Sequence, residues 1–231
     1  MTSAAAIRWL RQRGNRRNVE GMARYAITSP KAFGVSAVPM RELAKRCGRD
    51  HSLALKLWDS GWHEARIVAS LVDEPARVTA AQMDRWAGGF DNWAVCDSVC
   101  FHLFDRTPHA WAKARQWCRR DKEFVKRAGF TLIAGLAVHD KKAEDQQFLA
   151  FLPLIERHAD DDRNFVKKAI NWALRQIGKR NPSLNAAAVT VAARLATRES
   201  AAARWVGKDA LRELTSPAVP ARLVRRYTGK T

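Results

Sequence analysis

No apolar run in the sequence approaches the ~18–20 residues that a membrane-spanning helix needs, so no spanning segment is expected. Alternating apolar and polar stretches of strand length are missing as well, which argues against a sheet. Glycine-rich phosphate loops of the GxGxxG or GxxxxGK[ST] kind do not occur. Cysteine is sparse: Cys47, Cys96, Cys100 and Cys118 form no CxxC pair, and the one-turn spacing of Cys96 and Cys100 is not completed by a nearby His–Cys set. These thiols read as small apolar core residues in a reducing cytosol. The six histidines are scattered and make no HExxH, so neither a metal nor a cofactor is expected. The N-terminus, MTSAAAIRWLRQRGNRR, places its basic cluster after a short apolar stretch, the reverse of a secretory signal. It resembles a transit peptide in being rich in arginine and poor in acid, but Ile7, Trp9 and Leu10 read better as a first core helix.

Acidic residues are in short supply. There are 41 Lys and Arg against 23 Asp and Glu, a formal charge of +18. Solubility does not require so large a surplus, and it repels itself in the folded state, so an anionic partner is the natural explanation. Nucleic acid is the first choice. What the sequence does have is amphipathic helix almost throughout, dominated by Ala, Leu, Arg and Lys. Ser29-Pro30, Gly34, Val38-Pro39, Gly48, Asp59-Ser60-Gly61, Glu74-Pro75, Gly88-Gly89, Thr107-Pro108, His139-Asp140, Asn181-Pro182 and Ser216-Pro217 punctuate it. The intervals suit helices of ordinary length in antiparallel pairs.

One internal repeat is legible. Asp121-Lys122-Glu123-Phe124-Val125-Lys126-Arg127-Ala128 resembles Asp162-Arg163-Asn164-Phe165-Val166-Lys167-Lys168-Ala169 at an offset of 41, a period typical of helical-pair repeats. Asp121 and Asp162 are expected to be N-caps, with Phe-Val and Ala facing the core. A weaker instance is Trp62-His63-Glu64-Ala65-Arg66-Ile67. The expected fold is all-α: a right-handed solenoid of HEAT-like helix pairs with a basic concave face, residues 1–231 forming one domain. A basic arm (1–18) and a basic tail (217–231) flank it, and a non-repeating bundle is the alternative. Basic pairs recurring on stacked helices would lay a stripe of positive charge along a duplex. Lys126, Arg163, Lys167, Lys168 and Arg175 are the candidate DNA contacts.

The segment Asn92-Trp93-Ala94-Val95-Cys96-Asp97 carries a carboxylate into an otherwise apolar helix. Asp91 or Asn92 would cap it, and Trp93 and Asp97, four apart, share a face. A carboxylate there must be paired, hydrogen-bonded or wet. It either salt-bridges an Arg on an adjacent helix or faces a cavity where positive charge develops, with Trp93 as an apolar or π wall. Trp172 lies one turn beyond Lys167-Lys168 and, from the residues alone, reads as core.

Together these segments resemble the AlkD-type alkylpurine DNA glycosylases of bacteria, the DNA alkylation repair family built from HEAT-like repeats. The resemblance runs from about Val19 to about Arg212. It rests on the Trp93…Asp97 spacing, Phe124-Val125-Lys126-Arg127-Ala128, Trp62-His63-Glu64-Ala65-Arg66 and, most specifically, Phe165-Val166-Lys167-Lys168-Ala169-Ile170-Asn171-Trp172-Ala173-Leu174-Arg175. It implies that Asp97 is the catalytic carboxylate, that Trp93 and Trp172 are aromatic walls, and that Arg127 contacts the phosphate at the site. The family often has an acidic residue directly after the first Trp, where this sequence has Ala94. The implied activity is that of a cytoplasmic monomer releasing N3- or N7-alkylated purines from double-stranded DNA, without a cofactor and without lyase activity. A non-catalytic DNA- or RNA-binding solenoid and a protein-interaction scaffold are the competing expectations.

Overall fold

The computed structural model describes residues 1–228, with side chains through Arg225, so the last part of the expected tail 217–231 lies outside the described residues. Every regular element described is helical, and the chain divides into two compact units, 1–109 and 110–231. The first holds α1 (Ser3–Gln12), α2 (Arg16–Met22), α3 (Ala37–Cys47), α4 (His51–Asp59), α5 (His63–Val72), α6 (Ala80–Gly88) and α7 (Trp93–His102). The second holds α8 (Ala110–Trp117), α9 (Glu123–His139), α10 (Asp145–Leu149), α11 (Leu152–His158), α12 (Asn164–Gly178), α13 (Pro182–Ala196), α14 (Ala201–Leu214) and α15 (Ala218–Thr228). Most of the expected breaks fall between these helices. Val38-Pro39 is an exception: it lies inside the first turn of α3, where a proline gives up only an amide that has no intrahelical partner.

In the first unit α5 is the central helix, packed on α1, α3, α4 and α7. Its first turn carries Glu64, 1% exposed. That carboxylate accepts from the backbone N–H groups of Phe33 (3.0 Å), Gly34 (2.6 Å) and Val35 (3.2 Å). It thereby fastens the coil that follows α2. The coil is fastened to α2 as well, since Asn15 N–H donates to the Phe33 carbonyl at 2.7 Å and Asn18 Nδ2 to that of Gly34 at 2.9 Å. Gly34 has φ +78°, and a Cβ there would lie 2.2 Å from the Asn15 carbonyl oxygen, so only glycine fits the crossing. Around Trp58 the packing is aromatic: Trp86 stacks on it at 4.3 Å and the Arg66 guanidinium lies 5.0 Å from its centroid.

In the second unit α12 packs on α9, α13 and α14, and α13 packs on α14. The repeated segments open α9 and α12. Phe124 and Phe165, equivalent in the repeat, touch with ring centroids 5.4 Å apart; Ala128, Val166 and Ala169 are buried as expected, whereas Phe124, Val125 and Phe165 are only half-buried. The expected caps shift by one residue. Lys122 and Arg163 occupy the N-cap positions and neither caps through its side chain. Instead Asp161, two residues before the second of them, accepts from Arg163 N–H at 3.2 Å. The same carboxylate binds Lys126 Nζ at 2.7 Å and Arg163 Nη2 at 2.6 Å, joining the two repeat units. Burial works to raise the Asp161 carboxyl, but hydrogen bonds from Arg163 and Lys126, with their charges, outweigh it and hold the group well below the usual carboxylate range.

Two stability measurements check these ties. Glu64→Gln keeps the shape but removes the charge from the acceptor of three amides, and is expected to cost about 2–3 kcal/mol in urea unfolding. Asp161→Asn leaves Lys126 buried without its carboxylate, at an expected cost of about 3 kcal/mol at neutral pH. A depressed carboxyl stabilises fully above its unfolded value of about 3.9, and that contribution fades as pH falls toward the folded value. Stability of Asp161→Asn should therefore fall less than that of the native chain below about pH 4.

Candidate active site

α7 begins where Asn92 turns the chain. Its side-chain oxygen accepts from Val95 N–H at 3.1 Å, and its Nδ2 donates to Asp91 at 2.7 Å, so Asn92 is the cap and Asp91 steadies it. From there the helix has two faces. Val95, Cys96, Val99 and Cys100 are fully buried. Trp93, Ala94, Asp97 and Ser98 are half-buried and follow one another along a single stripe. Trp93 and Asp97 share a face, as their spacing predicts. Trp93 Nε1 donates to the Tyr25 carbonyl at 2.8 Å, which fixes the plane of the indole. That carbonyl is presented by a turn in which Ala26 adopts φ 53°, a left-handed conformation uncommon for alanine.

Cys100, one turn from Cys96 on this helix, is shifted toward the thiol. Burial pushes Cys100 well up, and its hydrogen bond with Cys96 and the charges of Cys96, Asp97 and Asp105 add to that. Burial likewise raises Cys118. Among the described residues, no three His, Cys, Asp or Glu side chains group as metal ligands would.

In the second unit Arg127, on α9, is 6% exposed and donates to the Phe165 carbonyl of α12 at 2.6 Å. Trp172 is half-buried two turns further along α12. The candidate DNA contacts divide by their partners. Lys126 and Arg163 are held by Asp161. Arg175 pairs with Glu213, which also takes Lys179 at 2.6 Å, and lies 4.0 Å from Asp209. Burial works to raise the Glu213 carboxyl, and the Lys179 and Arg175 contacts bring it below its ordinary value. Lys167 lies over the Trp205 ring at 5.2 Å, and Lys168 is exposed with no ion pair among the described residues. Three of the five cations are therefore tied to carboxylates, Arg163 to one two residues away, but Lys126 and Arg175 to ones 35 and 38 residues away, which local sequence does not reveal.

Two features went unnoticed in the sequence: the Glu64 anchor, and His63 beside it. His63 is 6% exposed, and its Nδ1 is sealed without a hydrogen-bond partner. Burial lowers its proton affinity, the charges of Glu64 and Asp91 oppose that, and Arg66 adds to it, leaving a weakened base. The segment stands out in sequence as a weak repeat instance and as part of the family resemblance, with nothing to show what its polar side chains face.

No curated protein matches the chain in sequence. Among solved structures, one from a family of proteins related to the HEAT-like repeat DNA glycosylases, with affinity for branched DNA structures, is similar over 92% of this chain and 95% of its own, with a TM-score of 0.76 at 19% identity. That likeness establishes a HEAT-like repeat fold. A designed armadillo repeat protein aligns over 77% of this chain and 92% of its own at 14% identity, with a TM-score of 0.35, too low to bear on the fold. Residues 6–214 match the family described as DNA alkylation repair enzyme. The chain belongs to the DNA alkylation repair enzyme family.

Proposed function

We propose that the protein is a monofunctional DNA glycosylase that hydrolyses the N-glycosidic bond of cationic N3- or N7-alkylated purines in duplex DNA. The observation that carries this is the half-buried stripe of α7, which sets Asp97 one turn from a hydrogen-bonded Trp93 in a chain of this family. Alkylation makes the base a cation, so it departs with the bonding electron pair as a neutral molecule and needs no general acid. An oxocarbenium-like deoxyribose remains. Asp97 stabilises that charge and orients the water that adds to C1′, whose proton passes to the carboxylate or to solvent. In this reading Trp93 and Trp172 flank the sugar and Arg127 holds the neighbouring phosphate. The sequence singles out no lysine for a Schiff base, so strand cleavage is not expected.

Lys168, exposed and unpaired, and Lys167 are the proposed backbone contacts on α12. Lys126, Arg163 and Arg175 act first as ties between helices. A second reading, a non-catalytic DNA-binding solenoid, draws support from the solved relative with affinity for branched DNA.

Release of 7-methylguanine and 3-methyladenine from methylated duplex separates the two. Base release by the native protein, slowed about 10²–10³-fold in Asp97→Asn with duplex affinity kept, is the expected result. Absence of release by the native protein, or equal release by the variant, defeats the glycosylase reading. Lys168→Ala is expected to weaken duplex binding about equally for all sequences and to lower the slope of log affinity against log salt by about 1, measured by fluorescence anisotropy.

A further inference from the structure

The first unit contains a cavity that the proposed reaction does not use. It lies between α2, the coil after it and the start of α5, and has a volume of about 610 Å³, within the range of small-molecule sites. Its lining has three chemistries. Met22, Ile27 and Val35 supply apolar wall. His63 supplies the ring of a buried imidazole. Arg17 and Arg24 supply charge, both exposed and neither ion-paired among the described residues. Two carboxylates also line the cavity: Glu20, paired with Arg16 at 3.1 Å, and Glu64, whose oxygens accept from the amides of residues 33–35.

The state of His63 narrows what can bind. Its Nδ1 is sealed and without a partner, so the edge left to face the cavity is Nε2. Burying a bare acceptor costs less than burying an unsatisfied N–H, so the neutral ring is best satisfied with its proton on Nε2. The cavity therefore offers a neutral donor at depth, flat apolar sides and two cations at its rim. A planar heterocycle with a ring or carbonyl acceptor, joined to a phosphate, matches all three. The surroundings suit a polyanion as well. Over residues 1–30, Arg8, Arg11, Arg13, Arg16, Arg17 and Arg24 are all exposed and face a single acid, Glu20.

We propose that this cavity binds one unpaired nucleotide of a DNA strand leaving a duplex, its base against Met22, Ile27 and Val35 with an acceptor on His63 Nε2–H, and its phosphate on Arg17 and Arg24. The proposal rests on the reading that the chain binds DNA, but not on its being a glycosylase. The nucleotide takes no part in the chemistry at Asp97.

The test compares blunt duplex with the same duplex carrying a one-nucleotide overhang, using the full chain and fluorescence anisotropy. The native protein is expected to prefer the overhang about tenfold, equivalent to about 1.4 kcal/mol. Gly21 lines the cavity, and a Cβ added there meets nothing within 4 Å, so Gly21→Phe adds bulk at the lining without a clash at its Cβ. That variant should lose the preference. If thermal melting shows it to be poorly folded, the same comparison with exposed Arg24→Ala decides. Equal affinity of the native protein for the two DNAs, or a preference that survives a folded variant, overturns the proposal. Displacement of the overhang probe by micromolar dAMP overturns the strand assignment in favour of a free mononucleotide. Failure of base release alone would sink the glycosylase reading and leave this comparison standing.

Discussion

A pair of short amphipathic helices cannot bury its apolar face alone, so each pair must be closed by the next. The second unit shows how tightly that is done. A Cβ on Gly129 of α9 would lie 2.4 Å from the Cys118 amide nitrogen, and one on Gly207 of α14 would lie 2.3 Å from that of Ala196. Helix backbones that approach so closely leave room for polar ties between neighbours, and the basic side chains supply them. Asp161 gathers Lys126 and Arg163, Glu213 gathers Arg175 and Lys179, and Arg180 donates to the carbonyls of Ala137 and Asp140. Much of the positive charge is thus structural before it is available to a partner.

This division of labour explains what could be read from the residues. The helical period, most of the breaks, the cap at Asn92 and the common face of Trp93 and Asp97 depend on residues within one turn of each other, and these were legible. The 41-residue repeat was legible because Phe124 and Phe165 each fill the same place in successive units. The capping role moved from Asp162 to Asp161, because a carboxylate at that corner is worth more when it also reaches Lys126, 35 residues away. Such a gain appears only once two helices are stacked.

The first unit taught a different lesson. Glu64 acts on amides 29 to 31 residues earlier, in a coil without periodicity, and no pattern in the chain announces it. Fastening that coil leaves an open cleft beside α2, with His63 in its lining. The indole of Trp93 reaches the same segment through the Tyr25 carbonyl, so the candidate catalytic helix and the N-terminal coil are held to each other by one hydrogen bond.

The buried cysteines have a consequence of their own. Thiolate, not thiol, is the form that attacks an electrophile. Cys100, with Cys96 buried beside it, and Cys118 are each sealed in the core of their unit and shifted toward the thiol, as is Cys47, which is only partly covered. Agents that methylate purines also methylate sulfur. Three of the four thiols of this chain are kept out of their reach by burial, and Cys47 alone is partly open to them.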